Sequence, residues 1–246
     1  VVNSDLRVYL CIDNGSSGIP GSDSAKGGNS LDEPTFTDTE PSAAGTSGDG
    51  YVWKYLYTIS PSDIIKFDST EFIALPNDWS TSTDSQIQAV REAGDSRINN
   101  NQIKKVYIED GGSTNSPSYQ EGSHSLNILG DGTGGIVNVT VNVNGKITKT
   151  IVTSGGTGYT YGIVDLGPIQ VTTSISLENR AKLIPIIPPS RGHGYDLYTE
   201  LGADKILIYT RFDDSTPDFP TTTKFSQVGI LKNPSTFADE DTTFDE

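Results

Sequence analysis

The stretch Ile136–Val152 constrains this chain most. It reads IVNVTVNV, then Asn144-Gly145, then KITKTIV. Val137, Val139, Val141 and Val143 recur at every second position, so a pleated strand gathers them on one face. Asn-Gly accepts the positive φ that a two-residue hairpin turn demands. The residues therefore predict a β-hairpin. An internal repeat extends the pattern, because Ile103–Ser113 aligns with Ile147–Thr157 at an offset of 44 residues, each run closing on Gly-Gly. Residues 103–167 are expected to form an inserted, Gly-rich β module.

The flanking sequence, 1–102 and 168–246, reads as one discontinuous domain. Leu6–Asp13 is a predicted strand ending at Asn14-Gly15. Asp49–Ser60 is another, with Tyr51, Trp53, Tyr55 and Tyr57 at alternate positions. Ser60-Pro61-Ser62-Asp63 opens a short helix that ends near Phe67, and Gln86–Ala93 is a second helix, stopped by Gly94. Further strands are expected at Val171–Leu177, at Lys205–Arg211 in a central position, and at Gln227–Leu231. A helical turn is expected at Glu178–Lys182. Residues 15–50 hold few apolar side chains. They read as a surface excursion ordered by neighbours, with Phe36, and Phe237 and Phe244 near the acidic tail 239–246, as anchors. Deleting 16–48 is then expected to spare the fold and weaken assembly. The residues imply a mainly β (α+β) fold class with short helices in its loops.

The net charge of −15, with no basic block, argues against nucleic acid and anionic membranes as partners. No run nears the roughly 18 apolar residues of a membrane span. The chain has no Met, which reads as a segment of a longer protein. The single Cys11, within the apolar run Val8–Ile12, is expected to be a small buried hydrophobe, consistent with a reducing cytoplasm.

Candidate chemistry is sparse. The cluster GDGTGG at 130–135 lacks the Lys-Ser/Thr of a phosphate loop and precedes a strand rather than a helix. Asp13-Asn14-Gly15 and Asp213, Asp214 and Asp218 lack the spacing of a calcium loop. Two histidines, His124 and His193, and one cysteine supply no zinc pattern. There is no Gly-x-Ser-x-Gly elbow. No catalytic residue, cofactor, metal or small-molecule substrate is expected, and the chain reads as a non-enzyme.

Leu183–Leu201 (LIPIIPPSRGHGYDLYTEL) is the most particular segment. His193 between Gly192 and Gly194, beside Arg191, is compatible with a catalytic base, a metal ligand or a folded-back loop held by its ring. With no nucleophile or second histidine alongside, the loop reading is preferred, with Arg191 and Asp196 as polar partners. The structural or interface candidates are Tyr51, Trp53, Tyr55, Tyr57, Arg191, Gly192, His193 and Gly194.

Three stretches, DGYVWKYLYTIS at 49–60, IIPPSRGHGYDLYTELGA at 186–203 and FSQVGILKNP at 225–234, together resemble the baseplate wedge subunit family, gene product eight, of T-even-type contractile-tailed bacteriophages. The resemblance is strong at the two ends and poor in the middle, where 103–167 departs from it. It implies a structural virion protein of the tail baseplate, assembled in the host cytoplasm. It also implies a mainly β-sandwich homodimer that holds other wedge subunits. The competing reading, from a different class, is a carbohydrate-binding adhesin or tail-fibre module. That reading needs the aromatic stripe exposed.

Overall fold

The computed structural model describes residues 1–14, 29–67, 69–95, 97, 101–112, 119–171, 175 and 179–210. The protein is mainly β, as expected. Strands β1 (Arg7–Asn14) and β2 (Tyr51–Thr58) form an antiparallel pair. Helices α1 (Pro61–Phe67) and α2 (Ser85–Gly94) follow. Next come β3 (Val106–Asp110), β4 (Gly122–Gly130), β5 (Thr133–Val141), β6 (Ile147–Thr157), β7 (Gly162–Val164) and β8 (Lys182–Pro185), and then the short helix α3 (Leu197–Leu201). Strands β6-β5-β4-β7 make a four-stranded sheet, and β8 pairs antiparallel with β3.

The predicted hairpin is β5–β6. Gly145 adopts φ 73°, and Asn142 N donates to Lys146 O at 2.9 Å across the turn. The internal repeat is also a spatial contact, since Thr150 Oγ1 donates to Val106 O at 2.5 Å, joining residues that the 44-residue offset aligns. The Gly-rich turn between β4 and β5 has a steric cause. The Tyr159 ring fills the space beside it, and a Cβ at Gly135 would lie 2.7 Å from Tyr159 Oη, one at Gly156 2.8 Å from Cε2. The phenol accepts from Gly135 N at 3.0 Å and donates to Ile128 O at 2.8 Å. Gln102 clamps the same residue's backbone, with Tyr159 N donating to Oε1 and Nε2 donating to Tyr159 O, both at 2.8 Å. On the turn itself, Asp131 accepts from Thr160 Oγ1, Thr160 N and Tyr161 N. The Thr160 hydroxyl above all lowers its carboxyl to about 2.

The buried apolar residues form two clusters. One, with Leu126, Val137, Val139, Ile147 and Tyr159, also takes in Ile169, Ile175 and Leu183. The other, with Tyr9, Trp53, Leu56, Trp79 and Val90, takes in Leu197. Two lysines before β3 reach between them. Lys104 Nζ meets Glu40 at 2.7 Å, and Lys105 Nζ meets the buried Asp13 carboxylate at 3.1 Å.

Several expectations need correction. Residues 29–50, the described part of the excursion, pack on their own chain: Tyr9 Oη donates to Phe36 O at 2.6 Å, the Tyr9 and Phe36 rings meet edge to face at 5.6 Å, and Ser42 exchanges backbone bonds with Trp53. Removing that segment would uncover the β1–β2 cluster. Cys11 is exposed rather than buried. Its register is interrupted, because Cys11 pairs with Trp53 and Asp13 with Val52, leaving Ile12 bulged. Partial desolvation, then Asp13 nearby, push the thiol's pKa up, so exposure does not make it a reactive thiolate. Gly94 ends α2 as expected, but without a left-handed φ. What requires glycine there is the His193 carbonyl, which a Cβ would strike. Residues 205–210 belong to no strand, with Ile206 and Ile208 78% and 80% exposed. Lys182, expected to close a helical turn, instead starts β8. The strand expected at Gln227–Leu231, the anchors Phe237 and Phe244, the residues Asp213, Asp214 and Asp218, the acidic tail and most of Val171–Leu177 lie outside the described residues.

Tyr159→Phe leaves the Gly135 amide buried without its acceptor, and should cost roughly 1–3 kcal/mol in urea unfolding with an unchanged m-value.

Candidate functional site

The aromatic residues of β2 are packed inside. Trp53, Tyr55 and Tyr57 are buried and Tyr51 is half-buried. Tyr51 stacks on Trp53 with ring centroids 5.3 Å apart, Tyr55 meets Tyr9 edge to face, and Tyr57 meets Trp79 likewise. Tyr57 Oη donates to Ala74 O at 2.8 Å, and burial raises its pKa. No platform for a sugar ring remains here, and the adhesin reading loses its main support.

The other residues of β2 are covered as well. Val8 pairs with Tyr57 and Tyr9 with Tyr55, so Leu56 is bulged. Leu56 and Lys54 are both fully buried. Over Lys54 and Val90 of α2 lies the Gly-His-Gly loop, close enough that a Cβ at Gly194 would stand 3.0 Å from Lys54 Cε and 3.2 Å from Val90 Cγ1. Gly192 and Gly194 take φ 95° and 87°, the left-handed region that favours glycine, so the chain folds back as the sequence implied. Gly192 N donates to Pro189 O at 2.7 Å within that turn.

The partners differ from those expected. His193 is 8% exposed, and its Nδ1 pairs with Oε1 of Glu200 rather than with Arg191 or Asp196. The second oxygen of Glu200 accepts from Gly194 N at 2.6 Å. One carboxylate on α3 thus holds both the ring and the backbone of the loop. Nε2 of His193 is buried with no partner among the described residues. Arg191 turns away to the Asp95 carboxylate, which is buried at the end of α2, and its guanidinium lies 3.4 Å from the centroid of the Tyr195 ring. Asp196 caps α3 instead, accepting from Thr199 N at 3.2 Å and Thr199 Oγ1 at 2.7 Å. Trp79 Nε1 donates to Tyr195 O at 3.2 Å, and Tyr198 Oη to Pro76 O at 2.5 Å. Ala203 N returns to Tyr198 O at 2.8 Å past the left-handed Gly202.

Beneath this loop Lys54 Nζ donates to Thr39 O at 2.7 Å. Burial, with the Lys104 charge adding to it, lowers its pKa to about 8 against the pull of Glu40 and Glu200. Sequence reasoning missed Glu200, Asp95 and Lys54. Only Lys54 carried a signal, since a lone lysine inside YVWKYLY asks for a buried acceptor.

Apart from Nε2 of His193 and Nε of Arg191, which are buried without a hydrogen-bond partner among the described residues, the named polar groups of the loop are engaged in holding α3, α2 and β2 together. The loop thus ties α3, α2 and β2 to one another in a mainly β protein. The family model described as Bacteriophage T4, Gp8 matches residues 11–186. The chain belongs to that family and is a structural component of the phage tail baseplate. The match spans 103–167, where the residues alone implied a departure from the family, and it ends before Arg191. No curated protein and no solved structure matches the chain.

Two outcomes are expected of the lock. His193→Ala should lower stability by roughly 1–3 kcal/mol, because Glu200 loses one of its two contacts; urea unfolding reads this. Between about pH 8 and 10.5 an unfolded chain keeps a proton on Lys54 that the folded chain has released, so this group's contribution to stability rises with pH. The stability difference between wild type and Lys54→Met should therefore shift in favour of wild type by about 1–2 kcal/mol from pH 8 to 9.5. That range stays below the region where the raised Tyr57 pKa acts in the opposite sense.

Proposed function

We propose that the chain is a wedge subunit of a contractile tail, assembled in the host cytoplasm, that holds neighbouring wedge subunits together and pairs with a second copy of itself. The family match over residues 11–186 is the observation that carries this reading. The engagement of the loop's charged groups within the chain supports it, because a rigid subunit suits an assembly that must transmit force. On this reading the chain works without cofactor, nucleic acid, membrane or small-molecule substrate. The candidates Tyr51, Trp53, Tyr55, Tyr57, Arg191, Gly192, His193 and Gly194 serve the shape of the subunit rather than a reaction.

The same reading gives the chain two packing units. The separation of the two buried clusters supports that division. Pairing of β8 with β3 favours extending the unit that begins at 103 beyond 167, to include Lys182–Pro185.

The test is sedimentation velocity of the purified full chain, alone and mixed with separately purified baseplate subunits. The expected result is twice the chain mass alone and a faster species in at least one mixture. A chain that sediments unchanged in every mixture overturns the wedge-holding reading.

A further inference from the structure

Edge strands expose unpaired backbone groups, and folded proteins normally cover them. Here most edges are at least partly covered from within. Val1 and Val2 lie along β1, Ser42 pairs with Trp53 on β2, and Gln102, Ile103 and Gly111 bond to β6. Residues 205–210 are the exception. They lie outside any strand or helix and make no backbone–backbone hydrogen bond with any described residue. Their sequence, Lys-Ile-Leu-Ile-Tyr-Thr, is nonetheless that of a strand.

The segment is held in place at both ends. Upstream, α3 is fixed by the lock and terminates at Gly202. Downstream, the Tyr209 ring meets Phe67 of α1 edge to face at 6.4 Å, and Lys66 Nζ lies 5.6 Å from its centroid. Between these anchors Ile206 and Ile208 are exposed, as is Ile65 of α1 at 86%. An apolar strand prepared in this way costs little further ordering when it is paired.

Resting on the self-pairing reading above, we infer that residues 205–209 form an antiparallel ladder with the same residues of a second copy, centred on Leu207. The local sequence is self-complementary about that point. A two-fold axis through Leu207 sets Ile206 against the partner's Ile208, and Ile208 against the partner's Ile206, so that four isoleucines close over one another. The same axis sets Lys205 against the partner's Tyr209, a cation facing an aromatic ring. Such a contact is isologous and closes on itself. Charge favours this patch in a chain of net charge −15: around it the described side chains include Lys66 and Lys205, with Asp204 paired to Lys205 at 2.9 Å. Two copies therefore meet here with little of the repulsion that opposes contact elsewhere.

The experiment uses the full chain over a concentration series in sedimentation equilibrium, with folding checked by circular dichroism. The double variant Ile206→Asp, Ile208→Asp should remain folded and weaken self-association at least about 30-fold, because it places carboxylates against one another in the ladder. In a Cys11→Ser background, Leu207→Cys should form an intermolecular disulfide under mild oxidation. The two-fold ladder puts residue 207 opposite itself, within the Cα separation of about 4.4–6.8 Å that a disulfide spans. This second readout does not depend on the Asp variant folding. A wild-type dimer that survives the double Asp substitution, together with a Leu207→Cys variant that gives no cross-link, overturns this surface while leaving self-pairing intact. A wild-type monomer at all concentrations overturns self-pairing and this inference with it.

Discussion

Covering both sides of β2 removes from water a run that includes the Lys54 ammonium group as well as Trp53, Tyr55, Leu56 and Tyr57. Burying a charge is costly unless it is met by polar groups, so the chain must deliver acceptors to that spot. It does so from two distant places. Thr39 comes from the segment before β2 and accepts the lysine's hydrogen bond, while Glu200 arrives on α3 to favour its charged form. The excursion on one side of the sequence and the Gly-His-Gly loop on the other are thus parts of one arrangement around a single buried lysine.

That arrangement explains why the loop looks like a reaction centre in the sequence and behaves as a lock in the fold. A histidine, an arginine and an aspartate within a few residues suggest chemistry. In the structure each is committed elsewhere: His193 to Glu200, Arg191 to Asp95 and Tyr195, Asp196 to the start of α3. The glycines permit the loop's backbone shape and let it approach Lys54 and α2 closely. Gly94 serves the same approach from the α2 side. Residues 205–210 follow closely, because only a few residues, Gly202 and Ala203 among them, separate the helix from them.

Legibility varies with the range of the interaction. The β5–β6 hairpin is readable because Asn144-Gly145 and the valine alternation act over a few residues. So is α1, where Ser60 Oγ accepts from Asp63 N at 3.1 Å as its sequence implies. The glycine cluster at 130–135 is readable only as lacking a phosphate-loop pattern. Its actual cause, the Tyr159 ring, enters from 24 residues beyond Gly135. The strand-like pattern of residues 205–210 is readable, but not whether a partner strand lies beside it in the chain. The exposure of Cys11 is hidden in the sequence because a bulge at Ile12 shifts which side chains face inward, and no residue there announces a bulge.

The sequence by itself determined the mainly β character, the principal hairpin, the starts of α1 and α2 and the fold-back at Gly192 and Gly194, since each follows from backbone sterics and hydrogen bonds among neighbours in the chain. Only the tertiary structure decided what the polar side chains do. Arg191 finds Asp95 across 96 residues, and Trp79 finds the Tyr195 carbonyl across 116. A charge or a donor selects its partner by where the chain returns in space, and that return is set by the packing of two apolar clusters rather than by spacing along the sequence.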